Sequence, residues 1–300
     1  LILGAGFAGL ALSRCLLATG HQVFLLSRSA QYFQHTSLIN LVGSYADTTL
    51  LRDAISRCDT IIHAASDTTP GVSAKTPVEE VFGNFQPTLE LIQVLQDYPD
   101  KHVIYLSSGG AIYGNLPKIP ADESQPCKPI SYYGAGKLAV ESFFKVVNHQ
   151  YGSPITILRP SNFYGPGQET KEGFGLIFHL LHRAKKGQSI DIWGDGEITR
   201  DFLFIDDFVK ACLKIIAARK NEHNIKIYNI GSGEGHSINS VVRTVEEVSG
   251  IQLQKKYLSA RPVDVKKIVL DCRLIKEEHG WQPTTTLTEG IAATWEWMNS

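Results

Sequence analysis

The stretch Leu1-Ile2-Leu3-Gly4-Ala5-Gly6-Phe7-Ala8-Gly9-Leu10-Ala11-Leu12 decides how the rest of the chain is read. Three apolar residues run into a G-x-G-x-x-G pattern, and residues 9–19 continue as an apolar segment of helical length. Glycines let the chain turn tightly and let the backbone approach a ligand closely. The free N–H groups at the start of the following helix favour an anion, so the strand-loop-helix unit is built for a pyrophosphate. With 26 glycines in the chain, a bare match carries little; it is the strand before and the helix after that separate it from a structural turn. Gly4, Gly6, Phe7, Ala8 and Gly9 are therefore expected to bind a dinucleotide. The chain starts without Met and in mid-pattern, so a few upstream residues completing the first strand are expected.

Moving outward, the next apolar run, Val23-Phe24-Leu25-Leu26, ends in Ser27-Arg28. NAD readers usually place a carboxylate there for the ribose 2′-hydroxyl. Its absence, with Arg28 able to pair a 2′-phosphate, leans the cofactor towards NADP rather than NAD, the alternative being a solvated surface arginine. Residues 60–64, 102–107 and 155–158 read as further buried strands, with residues 49–56, 78–96 and 133–150 as crossover helices. Such alternation predicts an α/β fold with a doubly wound parallel sheet of Rossmann type. Ligands of such sheets lie outside the carboxyl ends of the strands.

Beyond Arg159-Pro160 the texture changes to short strands at 190–193, 202–205 and 226–230 and helices at 174–186 and 237–249. The expected layout is a cofactor-binding domain over 1–164, with returns near 202–231, and a smaller C-terminal substrate-binding region over 165–300.

Composition bounds the rest. A formal net charge of −1 offers no field for nucleic acid or an anionic membrane, and 43% hydrophobic residues describe an ordinary globular chain. No apolar run reaches the roughly 20 residues of a membrane span. The five cysteines (Cys15, Cys58, Cys127, Cys212, Cys272) are scattered, which fits a reducing cytoplasm. The ten histidines form no H-x-x-x-H or H-E-x-x-H, so no metal site is expected.

Within Ser131-Tyr132-Tyr133-Gly134-Ala135-Gly136-Lys137, Tyr133 and Lys137 stand four apart and share one helix face. An ammonium near a phenol favours phenolate, which makes Tyr133 a proton carrier; two solvated side chains are the plain alternative.

Taken with Gly4–Gly9 and the strand ending at Ser107, this pair makes the chain resemble the extended short-chain dehydrogenase/reductases, the nucleotide-sugar epimerases and dehydratases. The likeness runs nearly end to end. It includes His63-Ala64-Ala65, Ser107-Ser108-Gly109-Gly110-Ala111-Ile112-Tyr113-Gly114, Arg159-Pro160-Ser161-Asn162-Phe163-Tyr164-Gly165-Pro166, Gly194-Asp195-Gly196, Thr199-Arg200-Asp201-Phe202 and Arg261-Pro262-x-Asp264. The resemblance implies that Ala64, Ala65, Ser107, Tyr133, Lys137 and Pro160 join Ser27 and Arg28 around the cofactor. It implies that Asn162, Arg200 and Arg261 hold the diphosphate of a nucleotide-diphosphate sugar, for which guanidinium groups are suited. Asp206-Asp207 is then structural, capping a helix from Phe208, and the two crossover helices 78–96 and 133–150 form a homodimer contact. Ile268 becomes a candidate size gate for the sugar C2 substituent.

The chain departs from the family in three places. The third catalytic partner, a Ser or Thr four residues before Tyr113, is Gly109, and the second position for it is Ala111; Ser108 is the nearest substitute. Strand neighbours point to opposite faces, so Ser108 serves only if the strand has already bent into a loop. Gly43-Ser44-Tyr45 lacks the usual adenine-contacting Asp, and Pro87 stands where relatives often have Gly, predicting a kink or a helix start. The leading expectation is a nucleotide-sugar 4-epimerase with Tyr133 as acid and base and Lys137 lowering its pKa. The alternatives are an NADPH-dependent reductase of a nucleotide-linked 4-keto-6-deoxy sugar and a non-catalytic cofactor-sensing protein.

Overall fold

Strands apolar on both faces must be covered on both faces. The computed structural model, which describes residues 1–29, 33–169, 175–218, 223–262 and 264–300, shows how this chain does it. Seven strands form the central sheet: β1 (Ile2–Leu3), β2 (Val23–Ser27), β3 (Leu38–Val42), β4 (Thr60–His63), β5 (His102–Leu106), β6 (Ile155–Pro160) and β7 (Ile225–Ile230). Their spatial order is β7-β6-β5-β4-β1-β2-β3 and every pairing is parallel. Leu12, Leu16, Phe208, Val209 and Trp281 cover one face, and Leu51, Ile55, Leu91, Phe144 and Val147 the other. This is a doubly wound Rossmann-type sheet, and the order reverses between β4 and β1, the crevice where ligands bind.

The C-terminal elements carry a core of their own around Tyr164, Ile177, Leu181, Val241, Val245 and Ile291. Short parallel ribbons frame it: Ile190–Trp193 pairs with Lys255–Leu258, and Asn162–Tyr164 with Phe202–Phe204. The helix expected from residue 174 runs over Leu176–Lys185, residue 174 itself lying outside the described residues.

Three local features differ from the sequence expectation. Strand β3 is absent from it, because an edge strand interrupted by Asn40 and only half-buried shows neither a clean alternation nor a solid apolar run. The helix expected over 78–96 is broken into Pro77–Glu80, a π-helical turn Val81–Phe85 and the α-helix Gln86–Leu95. Pro87 thus sits at the helix start expected for it, in a first turn where its missing N–H costs nothing, and what differs is the wider turn before it, which keeps its ring off the preceding carbonyls. Asp206-Asp207 does not cap: the helix runs Ile205–Ala217 with Phe204 at its N-cap position. Asp207 instead accepts hydrogen bonds from the N–H groups of Thr284 (3.0 Å) and Thr285 (2.8 Å), tying the C-terminal loop to the helix. Among the described residues no cluster of side chains has the makings of a metal site, and no helix is long and apolar enough to cross a membrane.

Candidate active site

The glycine loop has the shape its residues predicted. Gly4 takes φ 101°, and a Cβ there would sit 2.7 Å from the Cα of Ala65; one at Gly9 would lie 1.9 Å from the carbonyl oxygen of Gly4. Gly6 differs: a Cβ on it would meet nothing within 4 Å, so its backbone faces open space at the start of the helix Phe7–Ala18. The first N–H groups of that helix have no partner within it and are available to an anion. Ala64 donates its N–H to Leu3 (2.9 Å), which brings the end of β4 against the loop. These residues fit a bound dinucleotide.

Around this loop the expected cofactor residues divide. Pro160 closes β6, buried beside Ile230. Ser107 reaches the sheet edge, but its hydroxyl is given to Glu141 (2.5 Å), so it offers no free side-chain contact. At the end of β2 the Ser27 hydroxyl is turned to the carbonyl of Ser29 (2.7 Å), and Arg28 is paired with Asp67 (2.9 Å) on the surface. The guanidinium offered to a 2′-phosphate is therefore already engaged by a carboxylate.

Tyr133 and Lys137 lie in the first turns of the helix Tyr132–Tyr151, capped by the Ser131 hydroxyl accepting from the Gly134 N–H (3.1 Å). Strand β5 ends at Leu106, but the backbone stays extended through Ser108 (φ −156°, ψ 105°) and turns only at Gly109. The bend expected before Ser108 thus comes after it, and strand alternation alone sets Ser107 and Ser108 on opposite sides. Ser107 points to the buried Glu141, and Ser108 points the other way. Ser108 occupies the N-cap position of the turn Gly109–Ile112 without capping it, and its hydroxyl lies on the Tyr133 phenol, where it favours the ionised form. A second hydroxyl, that of Ser66 from the loop after β4, also meets the phenol.

The electrostatics run against the expectation for this pair. Burial, followed by the Glu80 carboxylate, pushes the Tyr133 pKa up to about 12, and Lys137 does not pull it down. The Lys137 ammonium donates instead to the carbonyl of Leu106 (2.9 Å) and lies 5.7 Å from the centre of the Tyr133 ring. Burial lowers its own pKa to about 8, opposed by Glu80 and Glu141. Phenolate formation thus needs more positive charge than the protein supplies by itself.

Position 109 is closed to a hydroxyl-bearing side chain. A Cβ on Gly109 would lie 2.6 Å from Cδ1 of Leu270 and 2.8 Å from the carbonyl oxygen of Arg159. Gly110 by contrast opens towards Asn162 (3.9 Å) and Ser108 (4.0 Å).

The two arginines expected at the diphosphate come together from distant segments. Arg200 feels the charge of both Arg261 and Asp264, and burial lowers its pKa to about 10. It donates to the carbonyl of Thr199 (3.1 Å) and to that of Val265. Arg261 forms a bidentate pair with Asp264 (2.8 and 3.0 Å) and lies over the ring of Trp193. Asn162 is exposed at the sheet edge and donates to the carbonyl of Asp201 (2.9 Å). Ile268 is buried among Ile112, Tyr113, Val265 and Leu270, not open to the cleft as a size gate would be. Sequence reasoning missed Ser66, Thr68, Asp67 and Glu80, which have no local pattern and gather only through the loop after β4 and the turn Pro77–Glu80.

Comparison with known proteins gives this arrangement a family. The NAD dependent epimerase/dehydratase family matches residues 1–231. The UDP-glucose 4-epimerase of Mycolicibacterium smegmatis is 29% identical over 306 residues, spanning 99% of this chain and 96% of the relative. The UDP-glucose 4-epimerase of Thermotoga maritima, solved with UDP-glucose, superposes with a TM-score of 0.92 at 30% identity, covering 99% of this chain and 98% of that one. That of Thermus thermophilus, solved with NAD, gives 0.92 at 28% identity, covering 100% and 99%. The chain belongs to the NAD-dependent epimerase/dehydratase family.

Proposed function

We propose that this protein is a nucleotide-sugar 4-epimerase acting on a UDP-sugar. The observation that carries the reading is the half-buried Tyr133 phenol, with Ser108, Ser66 and Lys137 beside it at the open crevice of the sheet. When bound, the nicotinamide supplies reversible hydride acceptance at the sugar carbon. Tyr133 takes and returns the proton of the sugar 4-hydroxyl, Ser108 orients that hydroxyl, and Lys137 holds the centre at the end of β5. Arg200, Arg261 and Asn162 hold the diphosphate, so residues 165–300 supply most of the sugar-nucleotide side. Anchoring at the diphosphate leaves the sugar free to present either face.

The cofactor is NAD in this reading. The missing carboxylate after β2 leaves room for a 2′-phosphate, but the Arg28–Asp67 pair and the NAD in the Thermus enzyme favour the plain ribose. Five free thiols suit a reducing cytoplasm. Exposed Val78, Val81, Phe82, Phe143 and Val146, on the two crossover helices, supply an apolar surface for a homodimer.

The test is turnover of UDP-glucose and UDP-galactose without added cofactor. Interconversion is expected, with mass spectrometry of the denatured protein releasing NAD. Tyr133→Phe should lose about 100-fold or more in kcat. Turnover that requires NADPH would replace this reading with the reductase, and near-wild-type Tyr133→Phe would remove the tyrosine from the mechanism.

A further inference from the structure

Glu80 is a buried acid that the proposed reaction does not use. It ends the turn Pro77–Glu80 and is 4% exposed. Thr68, itself 5% exposed, donates its hydroxyl to the carboxylate, and the Asn84 amide supports both groups, donating to the Thr68 oxygen at 2.8 Å. The carboxylate is pressed onto the helix that carries the reaction centre: a Cβ on Gly136 would fall 2.5 Å from Glu80 Oε1. Gly136 lies between Tyr133 and Lys137 on that helix, and Glu80 and Lys137 line one small cavity with His63 and Tyr105.

The other buried acid nearby is already compensated. Glu141 is gripped by Arg159 (2.7 Å) and accepts from Ser107 (2.5 Å). Glu80 has hydroxyl and amide donors, and the cation stabilising its charge is Lys137. The ionisable groups around it are Tyr133, Lys137 and Glu141 on the helix, Tyr105 on β5, and Tyr45 and His63. In the protein without its cofactor the tyrosines stay neutral phenols and buried His63 is neutral, its pKa lowered to about 3. The charges acting on Lys137 are therefore Glu80, the larger, and Glu141, which Arg159 already compensates.

We propose that Glu80 is a positioning residue of the reaction centre, its carboxylate held by Thr68 and Asn84 against Gly136 as the counter-charge that keeps Lys137 an ammonium beside Tyr133. This rests on the epimerase reading for its purpose but not for its test. Loss of the carboxylate strips a buried ammonium of its partner, which makes the proton leave at lower pH.

The test follows the ε-carbon resonance of Lys137 in lysine-labelled protein, assigned by its disappearance in Lys137→Met. In the wild type the resonance should titrate near pH 8. Glu80→Gln should move that titration down by about one pH unit or more, and the alkaline limb of the turnover profile with it. Glu80→Asp keeps a carboxylate but draws it back from the helix, and should shift Lys137 the same way by less; it also serves if Glu80→Gln fails to fold. A Lys137 titration unmoved in Glu80→Gln, or in Glu80→Asp where the first does not fold, overturns the proposal. If Lys137 shifts while no 4-epimerisation is found, the charge role stands and the reaction assigned to the site falls.

Discussion

At the scale of single residues, the centre turns on where a hydroxyl can be placed. Ser108 faces Tyr133 because its backbone is still extended, so it points away from the side taken by Ser107, and the following turn leaves its side chain uncommitted. Ser108→Ala should therefore lower kcat by about 10- to 100-fold, the value of a hydrogen bond to a group that becomes charged. KM should move far less, and steady-state kinetics on the UDP-sugar separates the two. A KM effect alone would mean that Ser108 merely lines the cleft. Arg200 and Arg261 make the complementary point about charge. Each is legible as a possible diphosphate ligand, but Asp264 stands between them, and only the folded chain shows that both arginines are held before a ligand arrives.

At the scale of elements, Gly109 is a packing residue. It lets the turn Gly109–Ile112 settle against the Arg159 carbonyl and Leu270, which brings Ser108 into line. Gly109→Ala should destabilise the protein by about 1–3 kcal/mol, as overpacking does, whereas Gly110→Ala, with nothing closer than 3.9 Å, should stay within about 0.5 kcal/mol. Denaturant unfolding of the two variants checks this, and equal stability would show that the turn yields. For the same reason, Gly109→Ser should not improve turnover. The π-helical turn Val81–Phe85 is the second device at this scale. Directly after Glu80, it re-phases the helix before Pro87 and brings Asn84 onto Thr68 and Glu80.

At the scale of the whole molecule, a buried polar chain ties the halves together. Glu141 grips Arg159, Arg159 donates to the Tyr113 hydroxyl (2.9 Å), and that hydroxyl donates to Asn229 (2.8 Å), whose amide reaches Ala121 (2.9 Å) and Asp271 (3.2 Å). Helix, sheet and C-terminal loop therefore share one hydrogen-bonded network, a high-stakes arrangement in a low-dielectric interior. The apolar residues left exposed on the crossover helices belong to the same scale. Val146, 49% exposed, should lie inside a dimer contact, so Val146→Glu should convert dimer to monomer in sedimentation velocity. A monomeric wild type would dispose of the contact.

The local patterns of the chain were enough for the parallel sheet apart from one edge strand, for the glycine turn before the first helix, and for Tyr133 and Lys137 on one helix face; they also picked out Arg200 and Arg261. Each is a matter of period, spacing or residue chemistry within a short window. Edge strand β3 escaped because half-burial blurs the period, and Asp207 escaped because its partners lie some 77 residues away. The tertiary structure alone decided that position 109 has no room for a side chain, that Ser107 belongs to the core and Ser108 to the site, and that Glu80 lies under the dyad. It also decided the proton affinities of Tyr133 and Lys137. Desolvation dominates both, and desolvation depends on what the fold packs around a group, which no spacing along the chain can state.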